Sequence, residues 1–114
     1  MTAPYRTKLT SSGATILFAT GRLNFPDVDR LRQQLTSLVE AGAVHVVVDL
    51  SGIDAIDSSA IGALISGLKA AKSAGGDLRL VAPTPVVASV LDMMNLDTVL
   101  TAHDSHEDAF PQLT

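Results

Sequence analysis

One segment constrains the fold of this chain more than any other: an apolar run that leads through a short polar junction into a helical run. Residues 44–50 are rich in valine and apolar on both faces of an extended strand. Residues 60–74 carry apolar side chains at helical spacing, among many small residues. A buried strand followed directly by a helix is the building unit of a parallel sheet, so we predict an α/β fold.

Turn signals and apolar periodicity predict the remaining elements. The predicted strands are residues 5–10, 15–20, 77–82 and 98–101, and the predicted further helices begin after Pro26, at Thr84 with Pro85, and at Asp104 or Ser105. We therefore expect a mixed sheet of about five strands with about four helices. Residues 1–114 are expected to form a single domain, in which residues 1–4 and 112–114 are candidates for disorder.

The composition narrows the class of protein. Eight basic and twelve acidic residues give a net charge of -4, which argues against nucleic acid or an anionic membrane as a partner. The absence of cysteine excludes disulfides and thiolate metal sites. No apolar stretch has the length of a membrane span, and the N-terminus lacks an apolar signal core. We expect a soluble cytoplasmic protein without membrane insertion.

Three aspartates surround the junction and are considered first as a metal site. Asp49, Asp54 and Asp57 could hold a hard cation such as magnesium. A phosphate-accepting carboxylate site would also need an acidic pair after an early strand and a late lysine, and both are missing. We therefore predict that these aspartates are loop and cap residues and that the chain binds no metal or other cofactor.

A hydrolytic enzyme is the next alternative. Ser58 lacks the flanking glycines of a nucleophile elbow, and no histidine is placed to activate it. His45 is predicted to be structural, while His103 and His106 are expected to be solvated and offer too few ligands for zinc. Because no nucleophile, base and orienting group can be assembled, we predict that the protein is not an enzyme.

The adjacent serines Ser58 and Ser59 stand at the predicted helix start. A hydroxyl there lies beside unpaired backbone N–H groups, and a phosphate added to it would meet the favourable end of the helix dipole. The local pattern alone favours a plain helix cap for one of these serines.

The whole pattern resembles the STAS domain family of anti-sigma factor antagonists. The resemblance is carried by Val-Val-Val-Asp-Leu-Ser-Gly-Ile at 46–53 and by Ile-Asp-Ser-Ser-Ala-Ile-Gly at 56–62. The segments 75–81 and 85–96 also match, in the expected order. The resemblance implies a single STAS-like domain over nearly the full chain.

The resemblance also implies a function. The unphosphorylated antagonist binds an anti-sigma factor that is also a serine kinase, and this binding releases a sigma factor. The kinase phosphorylates Ser58 (Ser59 is the weaker candidate), the phosphorylated form no longer binds, and a phosphatase restores it. The candidate partner-binding residues are Arg22, Asn24, Asp57, Ser58, Ser59, Ala60 and Met93.

The chain departs from the family pattern at two places. Ala60 replaces the usual glycine after the serine pair, and Gly21-Arg-Leu-Asn24 replaces a Gly-Glu-Leu-Asp turn. Met93 and Met94 are both expected in the core, and Met93 would become a candidate partner contact if it were exposed. Arg22 could instead pair with Asp57 or with a phosphate.

Two other functions stay open. STAS domains also serve as subunits of lipid-transport or scaffold complexes. A small-ligand or nucleotide-binding sensor would require a pocket at the strand ends near Asp49 and Ser58, although no phosphate-binding glycine loop is present.

Overall fold

Nine short elements alternate along the chain in the computed structural model, which describes residues 5–23, 28–96 and 98–111. In chain order they are β1 (Arg6–Leu9), β2 (Thr15–Leu23), α1 (Val28–Glu40), β3 (His45–Ile56), α2 (Ser58–Ser73), β4 (Asp77–Val81), α3 (Pro85–Met93), β5 (Ala102–His103) and α4 (His106–Ala109). The predicted α/β class, with five strands and four helices, is confirmed. The expected disorder of residues 1–4 and 112–114 lies outside the described residues.

The strands lie side by side in the same order as in the chain, β1-β2-β3-β4-β5. Strand β1 pairs antiparallel with β2, and the other neighbours pair in parallel. Each crossover therefore moves one strand further in the same direction. Because such crossovers are right-handed, the connecting helices α1, α2 and α3 fall on one face of the sheet.

Both edges of the sheet are short. All four residues of β1 are exposed, and two of them, Arg6 and Lys8, are charged. The opposite edge, β5, contains only two residues. Neither edge therefore offers a long apolar row of unpaired backbone groups.

The sheet has two unequal cores. The larger core lies under the three crossover helices and includes Leu35 of α1, Leu64 of α2 and Leu91 of α3. The smaller core lies on the opposite face, where Ile16 and Val47 contact residues of α4 and the segment after it. The second face is thus covered by a single four-residue helix and the chain around it.

Strands β2 and β3 run further than their sequences predict. The expected ends at residues 20 and 50 are wrong, since β2 continues to Leu23 and β3 to Ile56. Pairing continues past two register irregularities, with Leu23 opposite Ile56. A Cβ on Gly52 would lie 3.0 Å from Thr20 Cγ2, so this glycine lets the two strands approach closely.

The C-terminal part also differs from the prediction in one element. Residues 98–101 were expected to form the last strand, but the backbone N–H groups of Val99 and Leu100 donate to the Leu96 carbonyl and make a turn. The strand follows at Ala102–His103. The predicted tail helix is confirmed, and its cap is Ser105, whose Oγ accepts from the Asp108 N–H at 3.2 Å.

Helices α1 and α2 pack closely through Gly67. A Cβ built on this residue would lie 2.9 Å from Leu35 Cδ1 and 3.1 Å from Leu78 Cδ1. Both leucines are buried, so they have little room to move away. By contrast, a Cβ on Gly62 of the same helix would meet no atom within 4 Å.

We predict opposite effects for alanine at these two glycines. Gly67→Ala should lower the free energy of unfolding by about 1 kcal/mol, because overpacking outweighs the better helix propensity of alanine. Gly62→Ala should raise it by about 0.5–1 kcal/mol, since only the propensity term remains. Urea denaturation of both variants measures the difference, and equal values for the two would contradict the packing argument.

Candidate functional site

The junction between β3 and α2 is capped by Asp57. This residue has an extended backbone conformation, and its Oδ1 accepts from the Ala60 N–H at 3.0 Å. Its carbonyl accepts from the Ile61 N–H at 3.2 Å, which opens the helical ladder. The aspartate cap also places a negative charge at the positive end of the helix dipole.

The paired serines are the first two residues of α2, not its cap. The alternative in which Ser58 or Ser59 caps the helix is therefore wrong, because Asp57 already fills that position. Ser58 is exposed and its side chain makes no hydrogen bond to the described residues, whereas Ser59 is half-buried. Of the two hydroxyls, that of Ser58 is thus the more accessible to an enzyme.

Ala60 does not belong to the surface of the junction. It was predicted as a partner contact, but it is fully buried in the larger core. Its methyl group packs inward beneath the first turn of α2, so Ala60 supports the position of Ser58 from the core side.

The end of β2 lies beside this junction. The Asp57 N–H donates to the Leu23 carbonyl at 3.1 Å, which fixes the two segments together. Arg22, paired with Ala55 in the register, is exposed and forms no ion pair with a described residue, so its suggested pairing with Asp57 is not formed. Asn24 lies outside the described residues.

Helix α3 presents an apolar stripe to solvent. The helix starts at Pro85, and the hydroxyl of Thr84 donates to the Ile53 carbonyl at 2.9 Å rather than capping the helix. This nine-residue helix buries only Val87 and Leu91, so Val86 and Met93, seven positions apart, share its outer face.

The expected core position of the two methionines is therefore wrong. Met93 is 80% exposed and Met94 is 42% exposed, and Val86 of the same helix is 52% exposed. The direction of α3 explains the error, because Val87 and Leu91 face the sheet and leave Val86 and Met93 on the opposite face of the helix. Sequence analysis missed Val86 as a surface residue, although its spacing from Met93 was a usable signal.

Asp49 and His106 form a polar pair on the second face of the sheet. Both were expected elsewhere, Asp49 in a loop and His106 in solvent, but Asp49 lies inside β3 and is buried. His106 Nε2 lies 2.7 Å from Asp49 Oδ2, and the ring also packs edge-on against Phe18. This contact attaches α4 to the central strand.

The charge of Asp49 is stabilised despite its burial. Burial by itself would raise the pKa of this carboxyl, but the Ser51 hydroxyl at 2.6 Å, the contact with His106 and the Ser51 N–H at 2.9 Å outweigh it. The pKa of Asp49 is therefore held below its ordinary value.

The other predicted polar residues take separate places. Asp54, expected in a loop, is an exposed residue of β3. His45 packs against Phe110 as a structural residue, and the Nε2 of His103, expected to be solvated, is buried without a hydrogen-bond partner among the described residues. Within residues 5–23, 28–96 and 98–111, no group of three or more histidine, aspartate or glutamate side chains could hold a metal ion.

The family model for the STAS domain matches residues 5–109. The chain therefore belongs to the STAS domain family. Among the helices that the structure describes, none is long and apolar enough to cross a membrane.

Three relatives illustrate the similarity. A candidate anti-sigma factor antagonist from Thermotoga maritima is 32% identical over 72 residues, which cover 63% of this chain and 64% of that protein. The anti-sigma F factor antagonist of Paenibacillus polymyxa is 26% identical over 89% of this chain and 87% of its own. The crystal structure of a candidate antagonist from Thermotoga maritima superposes with a TM-score of 0.87 at 25% identity, covering 96% of this chain and 93% of that one.

We predict that the Asp49–His106 pair makes stability depend on pH in the acid range. Asp49→Asn should lower the free energy of unfolding at neutral pH by about 1–3 kcal/mol, since it removes a charge-assisted contact. Because the folded-state pKa is lowered, the contribution is complete above the unfolded pKa of about 3.9 and is lost as pH falls through the folded value.

Urea denaturation of both proteins at a series of pH values measures this loss. The difference between wild type and Asp49→Asn should shrink below about pH 4. Asp29→Asn is the matched control, because that side chain is 85% exposed in its pair with Arg32. A difference that stays constant with pH would show that the Asp49 charge is not involved.

Proposed function

We propose that this protein is an anti-sigma factor antagonist controlled by phosphorylation of Ser58. The observation that carries the proposal is the exposed, unbonded hydroxyl of Ser58 at the first position of α2, beside a cap that Asp57 supplies. The chain acts by binding rather than by catalysis. Its partners are an anti-sigma factor with serine kinase activity and a phosphatase that restores the unmodified form.

The local geometry suits a switch in binding more than a switch in folding. A phosphate on Ser58 adds about two negative charges near neutral pH. The N-terminus of α2 would offset part of that charge, by about 0.3–1 kcal/mol. Asp57 already caps α2, so phosphorylation of Ser58 should change the stability of the helix only slightly.

The partner would meet the new charge directly. Ser58 is exposed and directly follows Asp57, so phosphorylation adds negative charge next to an existing carboxylate at the start of α2. Like charges brought together across an interface disfavour the complex strongly. Arg22 stands near the end of the neighbouring strand β2, opposite Ala55, and is a candidate cation for a phosphate or for an acidic partner group.

The contact surface is proposed to include Arg22, Asn24, Asp57, Ser58, Ser59 and Met93, without Ala60. Met93 and Val86 contribute its apolar part, on the outer face of α3. The hydrogen bond from Thr84 to the Ile53 carbonyl holds the first turn of α3 against β3, five residues before Ser58. One rigid scaffold thus carries both the apolar and the charged parts.

We predict that Ser58 alone accepts the phosphate. Partners captured from native lysate with wild-type protein should include a small ATPase-type serine kinase, which is then purified and incubated with ATP and each variant. Wild type and Ser59→Ala should gain a single phosphate by intact mass, and Ser58→Ala none. Ser58→Ala should keep wild-type stability, because its hydroxyl makes no hydrogen bond to the described residues.

Two outcomes would contradict this assignment. If Ser58→Ala gains a phosphate and Ser59→Ala does not, the phosphorylated residue is Ser59. Capture of permease and ATPase subunits, with Ser58 unmodified, would favour the alternative of a subunit in a lipid-transport complex.

We also predict that Met93 contributes to kinase binding without supporting the fold. Met93→Ala should weaken binding by about fivefold or more, as expected for an apolar contact at a protein interface. Its free energy of unfolding should stay within about 0.5 kcal/mol of wild type. Leu9→Ala is the matched control, since Leu9 is 70% exposed on the edge strand β1. Equal binding of the kinase by the two variants would show that Met93 on α3 does not contribute to the interface.

A further inference from the structure

Methionine is the only source of sulfur in this chain. The sequence contains three methionines, one of them Met1, and no cysteine. In the absence of a thiol, an oxidant that is selective for sulfur acts on methionine. Met1 lies outside the described residues, and the other two, Met93 and Met94, stand next to each other at the end of α3.

Met93 carries the more accessible of these two sulfur atoms. Its side chain is 80% exposed, against 42% for Met94. It is also more exposed than the other large apolar side chains that the described part of the chain presents to solvent, which are Leu9, Val86 and Val99. Because the susceptibility of sulfur to oxidation follows its exposure, a dissolved oxidant should reach Met93 before Met94.

The end of α3 is fixed without the Met93 side chain. The Asn95 N–H donates to the Asp92 carbonyl at 3.1 Å, and the Leu96 N–H donates to the Leu91 carbonyl at 3.0 Å. Asn95 has a left-handed backbone conformation, with φ of 56°, and this conformation together with the two bonds ends the helix. A change at the sulfur of Met93 therefore leaves the helix end and the buried side of α3 in place.

Oxidation changes the chemistry of this surface by one oxygen atom. A peroxide transfers an oxygen to the thioether: the O–O bond breaks, an S–O bond forms, and the other oxygen of hydrogen peroxide leaves as water. The sulfur loses two electrons, which reduce the peroxide. The thioether is apolar and a weak acceptor, whereas the sulfoxide is polar. A methionine sulfoxide reductase reverses the step, since two of its thiols become a disulfide and the oxygen leaves as water.

We propose that Met93 is a reversible oxidation site at which a peroxide switches off partner binding, independently of phosphorylation at Ser58. This inference rests on the proposed function, in which Met93 and Val86 form the apolar part of the contact surface. A partner that covers the sulfoxide removes its water, and a polar group buried without a hydrogen bond disfavours the complex. The antagonist then responds to two signals, one at the start of α2 and one at the end of α3.

Two variants, each with one methionine left at the end of α3, test the oxidation site. Met94→Leu keeps only Met93, and Met93→Leu keeps only Met94, while leucine preserves the apolar volume. Each full-length protein is treated with hydrogen peroxide, and oxygen uptake is followed by mass spectrometry of the peptide after Arg79, which excludes Met1. Met93 should take up oxygen at least about twofold faster than Met94.

The same variants separate an effect on binding from an effect on folding. After the peroxide is removed, oxidised Met94→Leu should bind the captured serine kinase about fivefold or more weakly than its reduced form. Methionine sulfoxide reductases A and B, which act on the two sulfoxide epimers, should restore the affinity. Oxidised Met93→Leu should bind like its own reduced form, and the urea midpoint of both variants should not shift on oxidation.

A second background tests independence from phosphorylation. The double variant Met94→Leu with Ser58→Ala has no hydroxyl at position 58 and should show the same fold loss of binding on oxidation. Loss confined to the variant that retains Ser58 would contradict a separate switch.

Three results would overturn the inference: faster oxygen uptake by Met94 than by Met93, undiminished kinase binding by oxidised Met94→Leu, and a shifted urea midpoint. If binding survives oxidation but Met93→Ala still weakens it, the proposed interface stands and the oxidation switch is wrong. If no serine kinase is captured, the proposed function fails and the binding switch fails with it. The uptake rates of the free protein then decide the oxidation site by themselves.

Discussion

The pairing of β3 with both of its parallel neighbours is the constraint on which the structure depends. The central residues of β3 are buried on both faces of the sheet, since the larger core packs on one side of the strand and the smaller core on the other. Because every crossover advances in the same direction, the three crossover helices share one face. The remaining face is left to the C-terminal segment, which polar contacts with Asp49 and Arg79 attach to the sheet.

This unequal covering separates two kinds of surface. At the carboxyl end of β3, Asp57 caps the start of α2 and the hydroxyl of Ser58 is left exposed. On the thinly covered face, polar pairs replace helix packing, and a cavity remains beside α4. The two surfaces thus lie toward opposite ends of the same two strands, β2 and β3.

Much of the fold could be predicted because local signals agree with the tertiary contacts. The valine-rich run, the Thr84–Pro85 start and the Ser105 cap each gave the correct element type. The ends of β2 and β3 could not be predicted, because Gly21 and Gly52 look like turn residues until the two strands pair. The pair formed by Asp49 and His106 was also missed, since 57 positions separate the two residues. Contacts of that range leave no periodic signal. The exposure of Met93 likewise depended on which face of α3 the sheet covers.

The blunt edges of the sheet have a further consequence for how this domain meets other molecules. Four residues on one side and two on the other give a neighbouring chain almost no backbone to pair with. Recognition of this domain must therefore rely on contacts of its side chains. Such contacts can be weakened when one charged group is added to a single side chain. The same short edges also disfavour the pairing of two copies of the domain into a continuous sheet.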